Sequence, residues 1–139
     1  MNSMRATSLA GTFLIAVVMT TGPALAEEPA LLGTCTVQQD GTMDAFATCP
    51  VTNTSATPIS TVLYGYRILE EGRAAPLVEA GLGSDGKQYG AYISGGLAPG
   101  ATAPVQFLVA GLPGDADPAL ARYEIVVLGA QDATGAAIR

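Results

Sequence analysis

The stretch Cys35-Thr36-Val37-Gln38-Gln39-Asp40-Gly41-Thr42-Met43-Asp44-Ala45-Phe46-Ala47-Thr48-Cys49 decides the fold of this chain. Its middle, residues 40–44, has the polar and glycine-containing composition of a tight loop between two strands. If these residues close an antiparallel hairpin, positions whose numbers add to 84 face each other, and Cys35 lies opposite Cys49. The sequence therefore predicts a hairpin with strands at 32–39 and 45–53 and one disulfide between Cys35 and Cys49.

Further short runs of β-branched and aromatic residues follow, separated by glycine and proline clusters. The longest, 59–70, is predicted to be a central strand, and 102–110 shows the clearest alternation of apolar and polar residues. Pro76 lacks an amide hydrogen, which makes 75–80 an expected edge strand. The other predicted strands are 88–94, 122–128 and a marginal 136–138. This pattern favours an all-β, immunoglobulin-like antiparallel β-sandwich of about seven strands, with a small closed barrel as the alternative.

The first 26 residues have the pattern of a cleaved signal peptide. Arg5 precedes an apolar run at 9–19, and the triplet Ala24-Leu25-Ala26 provides small residues for cleavage. An apolar run of this length is shorter than the roughly 20 residues that cross a bilayer, so we expect no stable membrane insertion after cleavage. The alternative is an uncleaved, loosely anchored N-terminus. We therefore predict a single β-sandwich domain over residues 27–139, in a periplasmic or secreted protein.

The charge of the predicted mature chain argues against nucleic acid as a partner. All twelve carboxylates follow Ala26, against five basic residues, which gives a net charge of −7. Such a chain repels a phosphate backbone. Its two cysteines fit an oxidising compartment, where they form a disulfide more readily than a pair of free thiols.

Catalytic chemistry finds little support in the composition. The chain has no histidine, and this removes the commonest general base and metal ligand near neutral pH. Glu70 and Glu71 are adjacent, so in a strand they point to opposite faces. Asp115 and Asp117 form a weak calcium candidate that lacks the other ligands of a calcium loop. We predict no catalytic residues, no cofactor and no established metal site.

Two tyrosines are candidate contact residues. Tyr89 and Tyr92 lie in the predicted strand 88–94, and their spacing puts them on opposite faces. Tyr92 is expected to be exposed beside glycine-rich loops. Other candidate contacts are the edge strand 75–80 and the loops 81–86 and 95–100.

The order of features resembles the FxLYD-type and related bacterial immunoglobulin-like exported domains. The likeness covers about residues 45–110 and rests on Val51-Thr52-Asn53-Thr54-Ser55, Val62-Leu63-Tyr64 and Gly96-Leu97-Ala98-Pro99-Gly100. Thr61 and Gly65 stand where the phenylalanine and the aspartate of the motif would fall. The resemblance implies a fold and an exported location, and it brings no catalytic residues.

Three functions follow from these observations, in order of preference. The first is a non-enzymatic exported module that binds or assembles with another envelope or secreted protein. The second is a carrier of a small ligand or calcium, which would use Asp115 and Asp117 or a cleft near Tyr89 and Tyr92. The third is a hydrolase that uses carboxylates alone.

Overall fold

The chain folds into antiparallel β-strands. A computed structural model describes residues 7–9, 12–15, 28–40, 44–83 and 85–138. The strands are β1 (Thr7–Leu9), β2 (Thr12–Ile15), β3 (Ala30–Leu32), β4 (Cys35–Asp40), β5 (Asp44–Asn53), β6 (Ile59–Glu70), β7 (Val78–Ala80), β8 (Tyr89–Leu97), β9 (Thr102–Ala110) and β10 (Ala121–Gln131). Among the described residues, no helix has the length and apolar character needed to cross a membrane.

The first sheet, sheet A, is built around β5. Strand β9 pairs with one side of β5, and β3 and β4 follow each other along its other side. The break between β3 and β4 falls at Gly33 and Thr34, where the Gly33 N–H donates to the Pro50 carbonyl at 2.8 Å. The sequence predicts one strand at 32–39; the structure divides it in two.

The second sheet, sheet B, is built around β6. Strand β10 pairs with one side of β6 along nearly its whole length. On the other side, β8 pairs with the first half of β6 and β7 with the second half. All these pairs are antiparallel, so the predicted all-β fold with one disulfide is confirmed.

The inward faces of the two sheets share one apolar core. The alternating apolar residues of β6, β9 and β10 point inward and are buried, apart from the half-buried Ala103. The largest of them are Tyr64, Phe107 and Tyr123. The Tyr64 and Phe107 rings meet edge to face across the sheets, with centroids 5.0 Å apart. The arrangement is that of a β-sandwich.

The predicted hairpin register is confirmed. Thr36 faces Thr48 and Asp40 faces Asp44, so each pair adds to 84. The Cys35–Cys49 disulfide is formed, with the two Cα atoms 4.2 Å apart. The middle of the predicted loop, residues 41–43, lies outside the described residues.

Three tyrosine hydroxyls of sheet B bond to the backbone of β9 in sheet A. Tyr64 donates to the Leu108 carbonyl at 2.6 Å, and Tyr123 donates to the Ala110 carbonyl at 2.8 Å. Tyr66 accepts from the Ala110 N–H at 3.0 Å. The amide and carbonyl of one residue in an antiparallel strand point to the same side, so these groups lie on the side of β9 that faces away from β5. The hydroxyls therefore provide hydrogen-bonding partners for backbone groups of β9 that no neighbouring strand of the described chain pairs with.

Asn53 joins the two sheets at the other end of the core. It is the only polar residue among the buried ones of the described chain, and it is 0% exposed. Its Nδ2 donates to the carbonyls of Thr57 and Leu97, and its Oδ1 accepts from the N–H and hydroxyl of Ser55. Every hydrogen-bonding group of the amide is used, as burial requires.

Several strand boundaries differ from the sequence prediction. The edge strand expected at 75–80 is reduced to β7, since Pro76 cannot donate to a ladder. Strand β8 continues to Leu97 through Gly95 and Gly96, whose positive φ angles of 80° and 76° a glycine adopts readily. The marginal strand 136–138 is a single bridge between Gln131 and Ala137.

Part of the predicted leader also forms strands. Strands β1 and β2 pair with each other, and β2 pairs with β4 from Thr12 opposite Gln38 to Ile15 opposite Cys35. The predicted cleavage triplet Ala24-Leu25-Ala26 lies outside the described residues. Cleavage therefore stays a prediction.

We predict that replacing Cys35 and Cys49 by alanine lowers the free energy of unfolding by about 3 kcal/mol, because the bond closes a loop of about 15 residues in the unfolded chain. Urea unfolding of the double variant and the parent measures this. An unchanged free energy would contradict it.

We predict that Tyr64→Phe costs about 1 kcal/mol at neutral pH, because the Leu108 carbonyl loses its donor. Burial raises the pKa of Tyr64 from 10.0 to about 12, so the folded state favours the neutral phenol. The contribution that this pKa difference makes to the free energy of unfolding is complete below pH 10 and is lost as the pH rises towards 12. The variant should lose less stability over that range. The control is Tyr92→Phe, since this ring is 74% exposed, and its cost should stay within about 0.5 kcal/mol.

Candidate functional site

The outer face of sheet B carries the most exposed large hydrophobic residue of the described chain. Tyr92 on β8 is 74% exposed, which agrees with its expected position on the outward face. It stands opposite Thr61 of β6, and Thr61 stands opposite Gln131 of β10. The ring thus begins a row of uncharged residues that crosses all three strands.

The next row across the sheet contains two glycines and a leucine. Leu63 of β6 stands between Gly90 of β8 and Gly129 of β10. A Cβ atom on Gly90 or on Gly129 would lie 3.7 or 3.8 Å from a Leu63 methyl group, so the leucine reaches over both glycines. We call the row Gly90–Leu63–Gly129 the glycine floor. At Gly90 such a Cβ atom would also lie 2.9 Å from Thr61 Cγ2, so the glycines leave room for the neighbouring side chains of β6.

Two apolar side chains border the glycine floor. Leu128 is 51% exposed and lies where the β10 register shifts between Val127 and Gly129. On the other side, Leu82 covers Gly65, where a Cβ atom would lie only 2.5 Å from Leu82 Cδ2. Together with Tyr92, these residues make an apolar surface on an otherwise solvent-facing side of the sheet.

An ion triad forms the far end of this face. Arg67 of β6 lies 2.8 Å from Glu79 Oε2 and 2.8 Å from Glu124 Oε1. Its neighbours across the ladders are these same two glutamates, so the register of β7, β6 and β10 brings the charges together. The hydrogen bonds that Arg67 donates to Glu79 and, as the second cause, to Glu124 raise the pKa of the arginine further above its usual value. The positive charge of Arg67 offsets one of the two glutamate charges. The apolar part of the face carries no charge of its own.

Tyr89 has a different role from Tyr92. Its ring packs at 5.8 Å from Tyr64 and 6.0 Å from Tyr66, measured between centroids, and it is only partly exposed. It also closes over Gly81, where a Cβ atom would lie 2.8 Å from Tyr89 Cδ2. The two predicted contact residues therefore lie on opposite faces of β8, and the structure brings Tyr89 to the core.

Asp85 connects the described residues 81–83 and 85–87. Both oxygens of this exposed carboxylate accept from the Gly81 N–H at 3.2 Å, and Oδ1 accepts from the Lys87 N–H at 3.1 Å. The bond from the Lys87 amide is the main cause of a lowered Asp85 pKa. These bonds hold Gly81 and Lys87 to the Asp85 carboxylate at the edge of sheet B.

Two of the carboxylates that the sequence offers for catalysis or calcium, Glu70 and Asp117, make structural bonds. Glu70 binds Arg73 at 3.2 Å and accepts from the Asp117 N–H at 2.8 Å. Asp117 Oδ1 in turn accepts from the Ala119 N–H, which caps the turn that precedes β10. Asp115 is exposed in the same loop. Within the described ranges, no group of three His, Cys, Asp or Glu residues could hold a metal ion.

The glycine floor was not predicted from the sequence. Each of its residues belongs to a different strand, and only the registers of β8 and β10 on β6 put them in one row. A weak signal was present, since Gly90 interrupts the predicted strand 88–94, which otherwise carries side chains on both faces, and Gly129 directly follows the predicted strand 122–128.

Comparison with known proteins gives no relatives. No family model, no curated protein and no solved structure matches this chain.

Proposed function

We propose that this protein is a non-enzymatic exported module that binds another envelope or secreted protein through the outer face of sheet B. The observation that carries the proposal is Tyr92, which is 74% exposed beside the glycine floor. Tyrosine is enriched in protein interfaces because it supplies a large contact area with few rotatable bonds and a hydroxyl for hydrogen bonding. The row beside this ring carries no charge, so a partner can pack against Leu63 and the ring together.

The chemistry of the chain supports binding over catalysis. The sequence lacks histidine, and Glu70 and Asp117 are engaged in bonds that hold the loop before β10. No specific observation favours the calcium carrier or the carboxylate hydrolase.

The exported location is supported by two independent features. The disulfide in a small β-domain is compatible with an oxidising compartment. The N-terminal pattern of residues 1–26 is that of a signal peptide. Periplasmic or secreted localisation is therefore part of the proposal.

We predict that protein recovered from outside the cytoplasm begins at Glu27 and has both cysteines oxidised. N-terminal sequencing and intact-mass measurement before and after reduction check both points. A chain that retains Met1, or that has free thiols in the extracytoplasmic fraction, would contradict export with cleavage.

We predict that Tyr92→Ala weakens capture of the native partner from envelope extract at least tenfold, since truncation of a tyrosine at an interface hot spot costs about 2 kcal/mol or more. Gly129→Lys should have a similar effect, because its side chain would cover the glycine floor while its Cβ has ordinary room.

Two variants serve as controls for these substitutions. Leu108→Ala truncates a side chain that is 48% exposed on sheet A, and Gly114→Lys adds the same side chain in a loop with open space around it. Both should leave capture unchanged. Equal capture by all four variants would exclude the Tyr92 face as the binding surface.

A further inference from the structure

Without residues 1–26, strands β4, β7, β9 and β10 each border a sheet, and they differ in how well they are protected against strand addition. Proteins protect an edge with proline, bulges, short strands or groups that occupy the backbone. Strand β7 has three residues, and β10 has a register shift between Val127 and Gly129. On β9, Pro104 has no amide hydrogen, and tyrosine hydroxyls occupy the backbone of Leu108 and Ala110. None of these devices is present on β4.

The backbone groups that β4 directs away from β5 can be assigned. The Cα atoms of Cys35 and Cys49 are 4.2 Å apart, which is the spacing of a non-hydrogen-bonded antiparallel pair. The N–H and C=O of Cys35, and by alternation those of Val37, therefore point outward from β5. The same alternation across β5 directs the backbone of Leu108 and Ala110 outward on β9, where the tyrosines bind it. The two assignments agree.

A strand occupies this edge in the full-length chain. Residues Thr12–Ile15 pair antiparallel with β4, and Phe13 and Ile15 stand opposite Val37 and Cys35, the two residues whose backbone points outward. These four residues belong to the predicted leader and carry no charge. Removal of residues 1–26 would leave the outward groups of Cys35 and Val37 without this partner.

We propose that the β4 edge of the leader-free protein binds an uncharged, apolar strand of another exported protein by antiparallel β-addition. The incoming strand takes the register that Thr12–Ile15 holds here, and main-chain hydrogen bonds to Cys35 and Val37 supply the affinity. A second copy fits less well, because each predicted mature chain carries a net charge of −7. This inference rests on the proposed export and cleavage, and it is independent of the Tyr92 face, which lies on the other sheet.

The test uses leader-free protein harvested from outside the cytoplasm and a synthetic peptide of residues 7–18 with two added lysines for solubility. Amide hydrogen exchange is followed at Val37, and at Ala47 as a reporter of the intact fold, because the Ala47 amide points towards β9. We expect fast exchange at Val37 without peptide and at least tenfold slower exchange with it, with no change at Ala47.

Two N-methylated peptides provide the matched control. N-methylation of Phe13 and Ile15 removes the donors that face β4 and should abolish the protection of Val37. N-methylation of Thr12 and Leu14 alters the opposite side of the strand and should leave protection intact. Equal behaviour of the two peptides, or slow exchange at Val37 before any peptide is added, would overturn the proposal. Protection that instead rises with protein concentration alone would show self-pairing and would overturn the stated partner.

Fast exchange at Ala47 would show that the leader-free protein is unfolded. In that case, amide exchange at Val37 is measured in variants of the full-length chain. Phe13→Pro removes an amide that faces β4, whereas Leu14→Pro removes one that faces β1. Val37 should lose protection in the first variant and keep it in the second. The same rate in both would exclude the register. Tyr92→Ala should change none of these rates, so failure here and failure of the Tyr92 face are separable.

Discussion

The hydrogen bonds between three tyrosine hydroxyls and the backbone of β9 are the constraint on which the sandwich depends. Apolar packing alone holds two sheets together without fixing their relative position, because it has no direction. The bonds that join the hydroxyls of Tyr64, Tyr66 and Tyr123 to Leu108 and Ala110 involve the last residues of β9, and they set the position of sheet B against that strand. Burial of these rings also raises the pKa of all three phenols, so the hydroxyls stay neutral.

This use of tyrosine separates the structural and the exposed aromatic rings. The inward face of β6 is filled by Tyr64 and Tyr66, and Tyr89 packs against both. Tyr92 lies on the outward face of β8, three residues after Tyr89. Strand alternation thus assigns one tyrosine of β8 to the core and the other to solvent. The Tyr92 ring is not part of the described core, so it is a better candidate than Tyr89 for contact with a partner.

Local patterns predicted the fold better than they predicted the site. Alternation identified the inward residues of β6, β9 and β10, and the spacing of Cys35 and Cys49 gave the hairpin register. The break at Gly33 was missed, because it follows from the place of Pro50 on the neighbouring strand. The glycine floor was also missed, since it depends on how strands distant in sequence align on β6. Sequence periodicity gives the face of a residue but not its neighbours across the sheet.

The disulfide has a consequence beyond stability. It fixes Cys35 and Cys49 as a non-hydrogen-bonded pair, and a slip of one residue would break it, since it would turn one cysteine to the other face. The bond therefore determines which amides and carbonyls of β4 point into sheet A and which point outward. An edge with fixed outward groups at Cys35 and Val37 loses little conformational entropy when a strand is added. The same covalent link that closes the hairpin thus prepares the opposite side of β4 for a partner.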